Sequence, residues 1–353
     1  MKPLAVIGVA AALCAVVAPV AVADPAVTGY PSSIASTGDS ITRAFNTCSF
    51  PFIDCPPNSW STGTSSTVNS HYRRILAANP AVLGRNYNDA KTGGKMVDLQ
   101  AQVQAAVSQG AEYVTVLMGA NDVCTSSEAT MTPVDTLRSQ LRSALATLSG
   151  GLPNTRVYLV SIPDVYHLWE ILHTNWNAVL TWTFGGICQS LLANPTSTSA
   201  ADTARRLRVR QRAIDDNTAI AGVCAEFVHC RYDGGAAFAL QFATSDVSTR
   251  DYFHPSVSGQ AKAASVTWTA GFDFTDATAP STAATTAPDP AGGTDVTLSA
   301  TDNVGVSGIE YRLGAATAWT RYTAPVTVAS GTAITFRAVD VNGNIEATQT
   351  LTP

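Results

Sequence analysis

Short apolar segments alternate with amphipathic helical patterns up to Phe274, and this alternation limits the fold more than any other feature of the sequence. Residues 113–118 (YVTVLM) and 156–162 (RVYLVSI) are largely apolar and have the length of strands. Residues 96–107 and 136–148 carry apolar side chains at helical spacing. Short buried strands joined by helices form a parallel sheet that is covered on both faces. The sequence therefore predicts a three-layer α/β/α domain.

Polar segments follow two predicted strands, one that begins near Ile34 and the run at residues 113–118. Ser40 lies in residues 36–42 (STGDSIT), after an apolar segment that begins near Ile34. Asn121 lies in residues 119–122 (GAND), directly after the run at 113–118. Functional groups of parallel sheets gather at the carboxyl ends of the strands. We therefore expect Ser40 and Asn121 at the same edge of the sheet.

The composition changes abruptly after Phe274. Residues 276–294 are rich in Thr, Ala, Pro and Gly without an apolar period, which predicts a linker. Residues 295–353 alternate strand-like patterns with turns, which predicts a small all-β sandwich. We therefore expect an α/β domain over residues 24–275 that folds and acts without the tail.

The N-terminus has the pattern of an export signal. Lys2 is followed by an apolar run over residues 4–17 and by Ala21-Val22-Ala23, which fits an A-x-A cleavage site. The run is too short for a preferred membrane span, and no later segment is apolar enough to cross a bilayer. We expect a signal peptide over residues 1–23, a secreted protein and no stable membrane insertion.

The net charge and the cysteines agree with export. The formal net charge is −5, and such a mildly acidic surface disfavours nucleic acid and anionic membranes as standing partners. An even number of cysteines in an exported chain indicates disulfides. Zinc is the alternative, but the spacings are not close CxxC pairs and the chain has only 5 histidines. The cysteines outside the signal are Cys48, Cys55, Cys124, Cys188, Cys224 and Cys230, and the residues alone allow fifteen pairings of them.

Ser40 is a candidate nucleophile, although the esterase signature G-x-S-x-G is absent around it. Acyl transfer also requires a base, a group that orients the base, and donors aimed at the developing oxyanion. Asp251 and His254 stand three residues apart in residues 251–255 (DYFHP), so a carboxylate can hold one imidazole nitrogen while the other faces a serine. The alternative for this pair is a solvated turn.

Two further segments offer hydrogen-bond donors. Gly93 lies in residues 87–94 (YNDAKTGG), where a glycine lets a backbone N–H approach a reacting group closely. Asn121 places a neutral amide at the sheet edge. Taken singly, Gly93 is better explained as a loop glycine, and Asn121 fits a capping turn as well as a donor site.

Together, these segments occur in the order of the four blocks of the SGNH (GDSL) hydrolase family, which the chain resembles over most of residues 34–270. The resemblance is closest to the phospholipase B-like branch, because of residues 58–61 (NSWS) and 122–124 (DVC). It implies a flavodoxin-like α/β/α fold and ester hydrolysis without a metal or other cofactor. The four matching segments are GDS at 38–40, TGG at 92–94, GAND at 119–122 and D-x-x-H at 251–254.

The resemblance also implies the roles of individual residues. Ser40 would be the nucleophile, His254 the base and Asp251 its orienting group. The Ser40 N–H, the Gly93 N–H and the Asn121 side chain would form the oxyanion hole. The family usually has a small apolar residue where this chain has Lys91, and Ile41 replaces the leucine of GDSL. The disulfides implied by the resemblance are Cys48–Cys55, Cys124–Cys188 and Cys224–Cys230.

Two regions outside the four segments bear on substrate and partners. Residues 165–184 carry Trp169, Leu172, Trp176, Val179 and Thr183 at helical spacing, which suits an acyl-chain wall, an interfacial face or a helix packed on the core. The tail resembles immunoglobulin-like modules of secreted bacterial enzymes, and it leaves open whether it binds a polymer, a surface or nothing.

The predicted function is a secreted serine ester hydrolase, monomeric, that acts on lipid or other acyl esters. Two alternatives remain at this stage. One is a carbohydrate acetylesterase, because the same catalytic groups serve both substrates. The other is a non-catalytic surface-binding protein in which the β tail is the functional part. The acyl length and the head group are not determined by the sequence.

Overall fold

Five parallel strands form the centre of the α/β domain in the computed structural model, which describes residues 23–353. Their order is β2-β1-β3-β4-β5, so the direction of winding reverses between β1 and β3. Every residue of β1, β3 and β4 is buried, as expected for a sheet covered on both faces. The strands are β1 (Ile34–Gly38), β2 (Asn86–Asn88), β3 (Tyr113–Leu117), β4 (Arg156–Val160) and β5 (Cys230–Tyr232).

Helices cover both faces of this sheet. One face packs against α1 and α9 through residues such as Ile75 and Ala264, and the other packs against α2, α4 and α8 through Leu99, Leu141 and Val223. The predicted three-layer α/β/α fold is confirmed. The helices are α1 (His71–Ala78), α2 (Leu99–Gln109), α3 (Ala120–Val123), α4 (Val134–Gly151), α5 (Val165–Leu172), α6 (Trp176–Phe184), α7 (Gln189–Leu192), α8 (Ala200–Cys224) and α9 (Val257–Ala270).

Residues 165–184 form two helices, whereas the sequence predicts one continuous apolar face. The chain breaks between α5 and α6, where the Asn175 side chain accepts the Ala178 N–H and caps α6. Leu172 and Trp182 are buried, while Trp176 and Phe184 are largely exposed. The break therefore divides the segment between the core and the surface.

The tail forms two antiparallel sheets, with the strand orders β10-β7-β6 and β12-β11-β8-β9. Val296 and Leu298 of the first sheet pack on Ile309, Ile334 and Phe336 of the second. The prediction of an antiparallel β tail is confirmed. Its strands are β6 (Ser281–Pro288), β7 (Thr294–Thr301), β8 (Val306–Leu313), β9 (Thr320–Arg321), β10 (Val326–Val328), β11 (Ile334–Asp340) and β12 (Gln349–Leu351).

The linker predicted over residues 276–294 is wrong in its central part, because β6 lies within it. β6 pairs with β7 along its whole length, from Ser281 opposite Thr301 to Pro288 opposite Thr294. Only Thr282 of this strand is buried, so the segment carries no apolar period. β6 lies at the edge of its sheet, and the main-chain hydrogen bonds to β7 hold it in place without an apolar face of its own.

The tail is joined to the α/β domain by buried polar contacts, which differs from the expectation of two independent units. Arg337 of β11 donates to Glu310 of β8 (2.6 Å) and, across the domain contact, to the Asn154 side chain (2.7 Å) and the Pro153 carbonyl (2.8 Å). His229 of the α/β domain lies 3.2 Å from the same Glu310 carboxylate. All three ionisable side chains are buried.

A second group of contacts joins the start of β4 to the tail. Arg156 donates to the Gly343 carbonyl (2.9 Å) and to the Asn344 side chain (3.0 Å). Val27, near the N-terminus of the described chain, forms an antiparallel bridge with Ile345. Val27, Val228, Val339 and Ile345 pack together as a small apolar cluster between the two parts.

The three disulfides implied by the resemblance are present. Cys48–Cys55 closes a surface loop, Cys124–Cys188 joins the end of α3 to the start of α7, and Cys224–Cys230 joins the end of α8 to β5. The signal peptide predicted over residues 1–23 lies outside the described residues except for Ala23. Among residues 23–353, no helix has both the length and the apolarity required to span a membrane.

The contact between tail and α/β domain predicts a large effect of Glu310→Ala. The substitution leaves the buried Arg337 guanidinium without its carboxylate, and breaking a buried pair in this way costs about 3–5 kcal/mol. We expect a single, strongly lowered unfolding transition in scanning calorimetry. The matched control is Glu226→Ala, which breaks the exposed pair with Arg142 and should barely move the transition. Equal shifts in the two variants would contradict the importance of this contact.

Candidate active site

The turn after β1 presents Ser40 at the carboxyl edge of the sheet. Gly38 has φ +143°, and a Cβ there would lie 2.3 Å from the Leu117 carbonyl oxygen, so β1 can approach β3 this closely only with glycine. The Gln102 side chain accepts the Gly38 N–H (2.7 Å) and donates to the Gly38 carbonyl (3.0 Å). These contacts fix the backbone two residues before Ser40.

His254 links Ser40 to Asp251. Its Nε2 lies 2.7 Å from Ser40 Oγ, and its Nδ1 lies 2.7 Å from Asp251 Oδ2. Asp251 Oδ1 accepts the backbone N–H groups of Phe253 and His254, each at 3.0 Å. The carboxylate therefore fixes the turn that carries the imidazole as well as the imidazole itself.

The ionisation state of Asp251 determines which ring nitrogen of a neutral His254 carries the proton. Burial alone would raise the pKa of Asp251, but the hydrogen bonds and the charge of His254 outweigh it and hold that pKa below its usual value. An ionised carboxylate only accepts hydrogen bonds, so the proton of a neutral His254 lies on Nδ1. The Nε2 lone pair then points to the Ser40 hydroxyl.

Asn46 is a site residue that the sequence analysis missed. Its side-chain amide donates to Asp251 Oδ2, and its side-chain oxygen accepts the Phe52 N–H. Asn46 is buried and has φ +65°, a left-handed conformation that asparagine tolerates better than most residues. It stands 205 residues from Asp251 along the chain, so no local pattern indicates the contact.

The three predicted oxyanion donors lie around Ser40. Gly93 and Asn121 line the same groove as Ser40 and His254. Gly94 donates its N–H to the Lys91 carbonyl (2.8 Å), whereas the Ser40 and Gly93 N–H groups have no acceptor within residues 23–353. Both N–H groups are thus available to a ligand.

The turn after β3 positions Asn121. Gly119 has φ +121°, a conformation that strains residues other than glycine, and a Cβ there would also displace the Ile162 side chain, whose Cδ1 would lie 2.5 Å away. The Asn121 amide donates one hydrogen bond to the Gly94 carbonyl (2.9 Å). Because a primary amide has two N–H donors, this contact orients the side chain and leaves one donor for a ligand.

Two hollows meet at Ser40 and His254. One is a small cavity of about 70 Å³, less open to solvent than the other, and the second is an open groove of about 670 Å³ that is also lined by Gly93 and Asp251. The cavity wall away from the polar groups is apolar and includes Ile41, Leu117, Val165, Leu168, Leu240 and Phe242. The arrangement can accommodate a substrate with an apolar arm in the cavity and a second part in the groove.

The comparison with protein families agrees with this geometry. The model of the GDSL-like Lipase/Acylhydrolase family matches residues 37–262, which is more than half of the chain. The chain belongs to this family. Membership implies ester hydrolase activity, and the resemblance to SGNH (GDSL) hydrolases that the four segments indicate is confirmed. A search of curated proteins found no match.

Solved structures of GDSL lipases and related esterases are among the similar folds. A GDSL-like lipase of unconfirmed activity from Parabacteroides merdae is 17% identical (TM-score 0.45; 70% of this chain and 98% of that one). An extracellular lipase from Streptomyces rimosus is also 17% identical (TM-score 0.42; 67% and 99%). An acetyl-xylooligosaccharide esterase from Geobacillus is 16% identical (TM-score 0.42; 70% and 96%). These likenesses are too distant to indicate a substrate.

The carboxylates that lie close enough together to share a cation belong to the tail and not to the GDSL site. Within the described residues these are Asp276, Asp302 and Asp340, whose nearest oxygens lie within 4.8 Å of one another. Asp276 and Asp340 already accept hydrogen bonds from the Asn342 and Asn344 side chains, respectively.

Asp39, the acidic residue of the GDS segment, is a buried carboxyl group next to Ser40. Its Oδ1 accepts the Ile41 N–H (2.9 Å), and its Oδ2 has no partner within the described chain. Burial raises the pKa of Asp39 to about 7, although the Ile41 hydrogen bond and the charge of His254 act in the opposite direction. The group is therefore largely protonated at mildly acidic pH.

The raised pKa of Asp39 should make the free energy of unfolding depend on pH. The unfolded chain releases the Asp39 proton near the ordinary pKa of 3.8, and the folded chain keeps it up to about 7. Between these values the folded state binds more protons, so the free energy of unfolding falls as pH rises. Burial lowers the pKa of His71 to about 3, so His71 makes the free energy of unfolding rise with pH. This contribution is the same in the native protein and in an Asp39 variant, so it cancels when the two are compared.

We therefore expect Asp39→Asn to raise the melting temperature relative to the native protein progressively from pH 4 to pH 7. Asparagine retains the acceptor for Ile41 and cannot ionise. Melting curves at a series of pH values measure the difference. Asp135→Asn, on a side chain that is 89% exposed, is the control and should leave the difference flat. A flat difference for Asp39→Asn would show that this carboxyl group does not titrate in the expected range.

Proposed function

We propose that this protein is a secreted serine ester hydrolase that cleaves acyl esters of lipids, with Ser40 as nucleophile, His254 as base and Asp251 as orienting group. The observation that carries the proposal is the hydrogen-bonded series Ser40–His254–Asp251 at the mouth of an apolar cavity. A hydroxyl, a base and an orienting carboxylate in this order are the components of nucleophilic acyl transfer.

In the first half of the reaction, Ser40 Oγ forms a bond to the ester carbonyl carbon while its proton passes to His254 Nε2. The carbonyl π electrons move to the oxygen and produce a tetrahedral oxyanion. When this intermediate collapses, the bond to the alcohol oxygen breaks and His254 returns the proton to the leaving alcohol. Water repeats the sequence on the acyl-enzyme, with His254 accepting its proton, and releases the acid.

Asp251 acts in both halves through His254. Its carboxylate stabilises the imidazolium that forms when Ser40 or water loses a proton. The hydrogen bond from Asn46 and the two backbone N–H groups hold the carboxylate in place, so its orientation does not depend on the histidine alone. Asn46 is thus a positioning residue of the proposed triad.

The oxyanion is stabilised by the Ser40 N–H, the Gly93 N–H and the second N–H of the Asn121 amide. Support for Gly93 over Gly94 comes from the backbone, because the Gly94 N–H already donates to Lys91. These donors are fixed before substrate arrives, so they bind developing charge without reorganising.

The apolar cavity favours an acyl chain over a sugar as the group beside Ser40. Sugar sites need many directed hydrogen bonds, whereas the cavity wall offers Val165, Leu168, Leu240 and Phe242. The proposal therefore places the acyl chain in the cavity and the alcohol part in the open groove. A carbohydrate acetylesterase has no specific support from this lining.

The same proposal extends to location and organisation. Three disulfides and the export pattern of residues 1–23 support a secreted protein. The extent of the α/β domain over residues 24–275, the phospholipase B-like affinity, the immunoglobulin-like nature of the tail and the monomeric state stay predictions, whereas β6 revises the linker over residues 276–294. The buried contacts of the tail support a structural role for it beside any binding role.

Asn121→Ala distinguishes the oxyanion role from a merely structural one. Loss of a donor that binds mainly the transition state should lower kcat by ~100- to 1,000-fold with KM little changed. Asn121→Asp should be at least as damaging, because a carboxylate repels the oxyanion. Steady-state kinetics and melting temperature are measured on the same preparation. A capping residue predicts the reverse result, a lowered melting temperature with nearly normal turnover per folded molecule.

Chain-length preference tests the cavity. We expect kcat/KM for p-nitrophenyl esters to increase from acetate to medium-chain acyl groups, and Ser40→Ala to abolish turnover of all of them. Leu168→Trp fills the cavity wall and should lower kcat/KM for octanoate more than for acetate. Leu207→Trp, on the exposed side of α8, is the matched control and should not change the ratio. An unchanged ratio in Leu168→Trp would place the acyl chain elsewhere.

A further inference from the structure

Large apolar side chains are exposed on two elements that line the open groove. Phe50, Phe52 and Ile53 are 75%, 66% and 43% exposed in the loop closed by Cys48–Cys55. Phe184, at the end of α6, is 83% exposed. We call these four residues the apolar rim. Exposed apolar groups that cluster around a site indicate an interaction surface, whereas scattered single ones do not.

The groove itself connects the two parts of the rim. Phe52 and Phe184 both line the groove that contains Ser40, Asn121 and His254. The two phenylalanines come from elements more than 130 residues apart, and the fold brings them to the same opening. Two residues of the rim therefore line the route by which a substrate reaches Ser40.

The exposure of the loop is maintained by the structure. Phe52 has φ +57°, an uncommon conformation for a bulky residue, and its N–H donates to the buried Asn46 side chain. Arg250 donates to the carbonyl groups of Cys48 (2.8 Å) and Ser49 (2.7 Å). The disulfide closes the loop a few residues from its tip. A strained and well-anchored backbone that holds aromatic side chains in solvent points to a function for those side chains.

We propose that the apolar rim docks on the surface of an aggregated lipid ester, a micelle or a bilayer, and so places the groove over the substrate. This inference rests on the proposed ester hydrolase function. A protein partner seated on the rim would cover the groove and block entry to Ser40. A lipid surface supplies the substrate through the same opening, and apolar side chains can enter the boundary between head groups and acyl chains.

The test separates binding from catalysis. Association is measured by co-sedimentation with vesicles of diether phosphatidylcholine, which contains no carboxylic ester bond and is not consumed by an acyl ester hydrolase. Hydrolysis is measured on dissolved p-nitrophenyl butyrate and on vesicles of diacyl phosphatidylcholine. The variant is Phe50→Ser/Ile53→Ser, whose side chains lie outside the groove lining. The control is Leu83→Ser/Leu207→Ser, which removes side chains that are 68% and 48% exposed elsewhere.

We expect the rim variant to bind vesicles about 10-fold or more weakly than the native protein, since two apolar side chains no longer enter the lipid. Its activity on vesicles should fall in proportion, and its activity on dissolved butyrate should stay within about twofold. The control should match the native protein in all three measurements. Phe184→Ser, tested for vesicle association only, should also bind more weakly.

Two results would overturn the inference: native protein that does not sediment with the vesicles, or rim and control variants that lose binding equally. Absence of hydrolysis of every ester by native protein that still binds vesicles would overturn the proposed function and leave the docking surface standing. Normal hydrolysis of dissolved butyrate by a native protein that does not bind vesicles would overturn the docking surface and leave the proposed function standing.

Discussion

The position of β1 between β2 and β3 is the constraint on which the site depends. β1 pairs in parallel with both neighbours, and the winding of the chain reverses there, so the connections after β1 and β3 turn away to opposite faces. A crevice opens between them at the carboxyl edge. Ser40 follows β1 and Asn121 follows β3, and each is preceded by a glycine that no larger residue could replace without a backbone clash or a displaced core side chain.

Much of this arrangement could be predicted from the sequence, because buried segments consist mainly of apolar residues. β3 and β4 are buried on both faces and are therefore nearly continuous apolar runs. β2 and β5 were not predicted, since each is a three-residue edge strand of partly buried residues whose pairing is supplied by a neighbour. The same reason explains β6, which is held by β7 and not by an apolar face of its own.

The residues of the candidate site also fall into those that the sequence indicates and those that it does not. Ser40 and Asn121 could be proposed because they follow strands, and Asp251 with His254 because the pair is close along the chain. Asn46 and Gln102 could not, because their contacts join residues 205 and 64 positions apart. Polar side chains that support a site carry no local signal, since in a sequence they are indistinguishable from solvated ones. The catalytic roles of these residues stay predictions.

The contact between the tail and the α/β domain illustrates the same limit with charged residues. Glu310, Arg337 and His229 suggest a solvated surface in the sequence, yet the fold buries them together. Buried charges are tolerated only when they are paired and hydrogen-bonded, so the two parts of the chain must meet in one definite arrangement for the set to be satisfied. The tail thus supplies a partner for His229 Nε2 and two acceptors for Arg156, both of which lie at strands of the parallel sheet.

Asn46 connects the proposed triad to the loop that carries Phe52. Its amide group contacts Asp251 on one side and the backbone of Phe52 on the other. Displacing the loop would therefore withdraw one hydrogen bond from the carboxylate that orients His254. Such a displacement would not break the remaining contacts of Asp251 with the two backbone N–H groups, so the turn would survive it. The loop that carries Phe52 and the proposed triad are accordingly joined by hydrogen bonds through Asn46, and the disulfide next to Asn46 limits how far the loop can move without disturbing the orientation of Asp251.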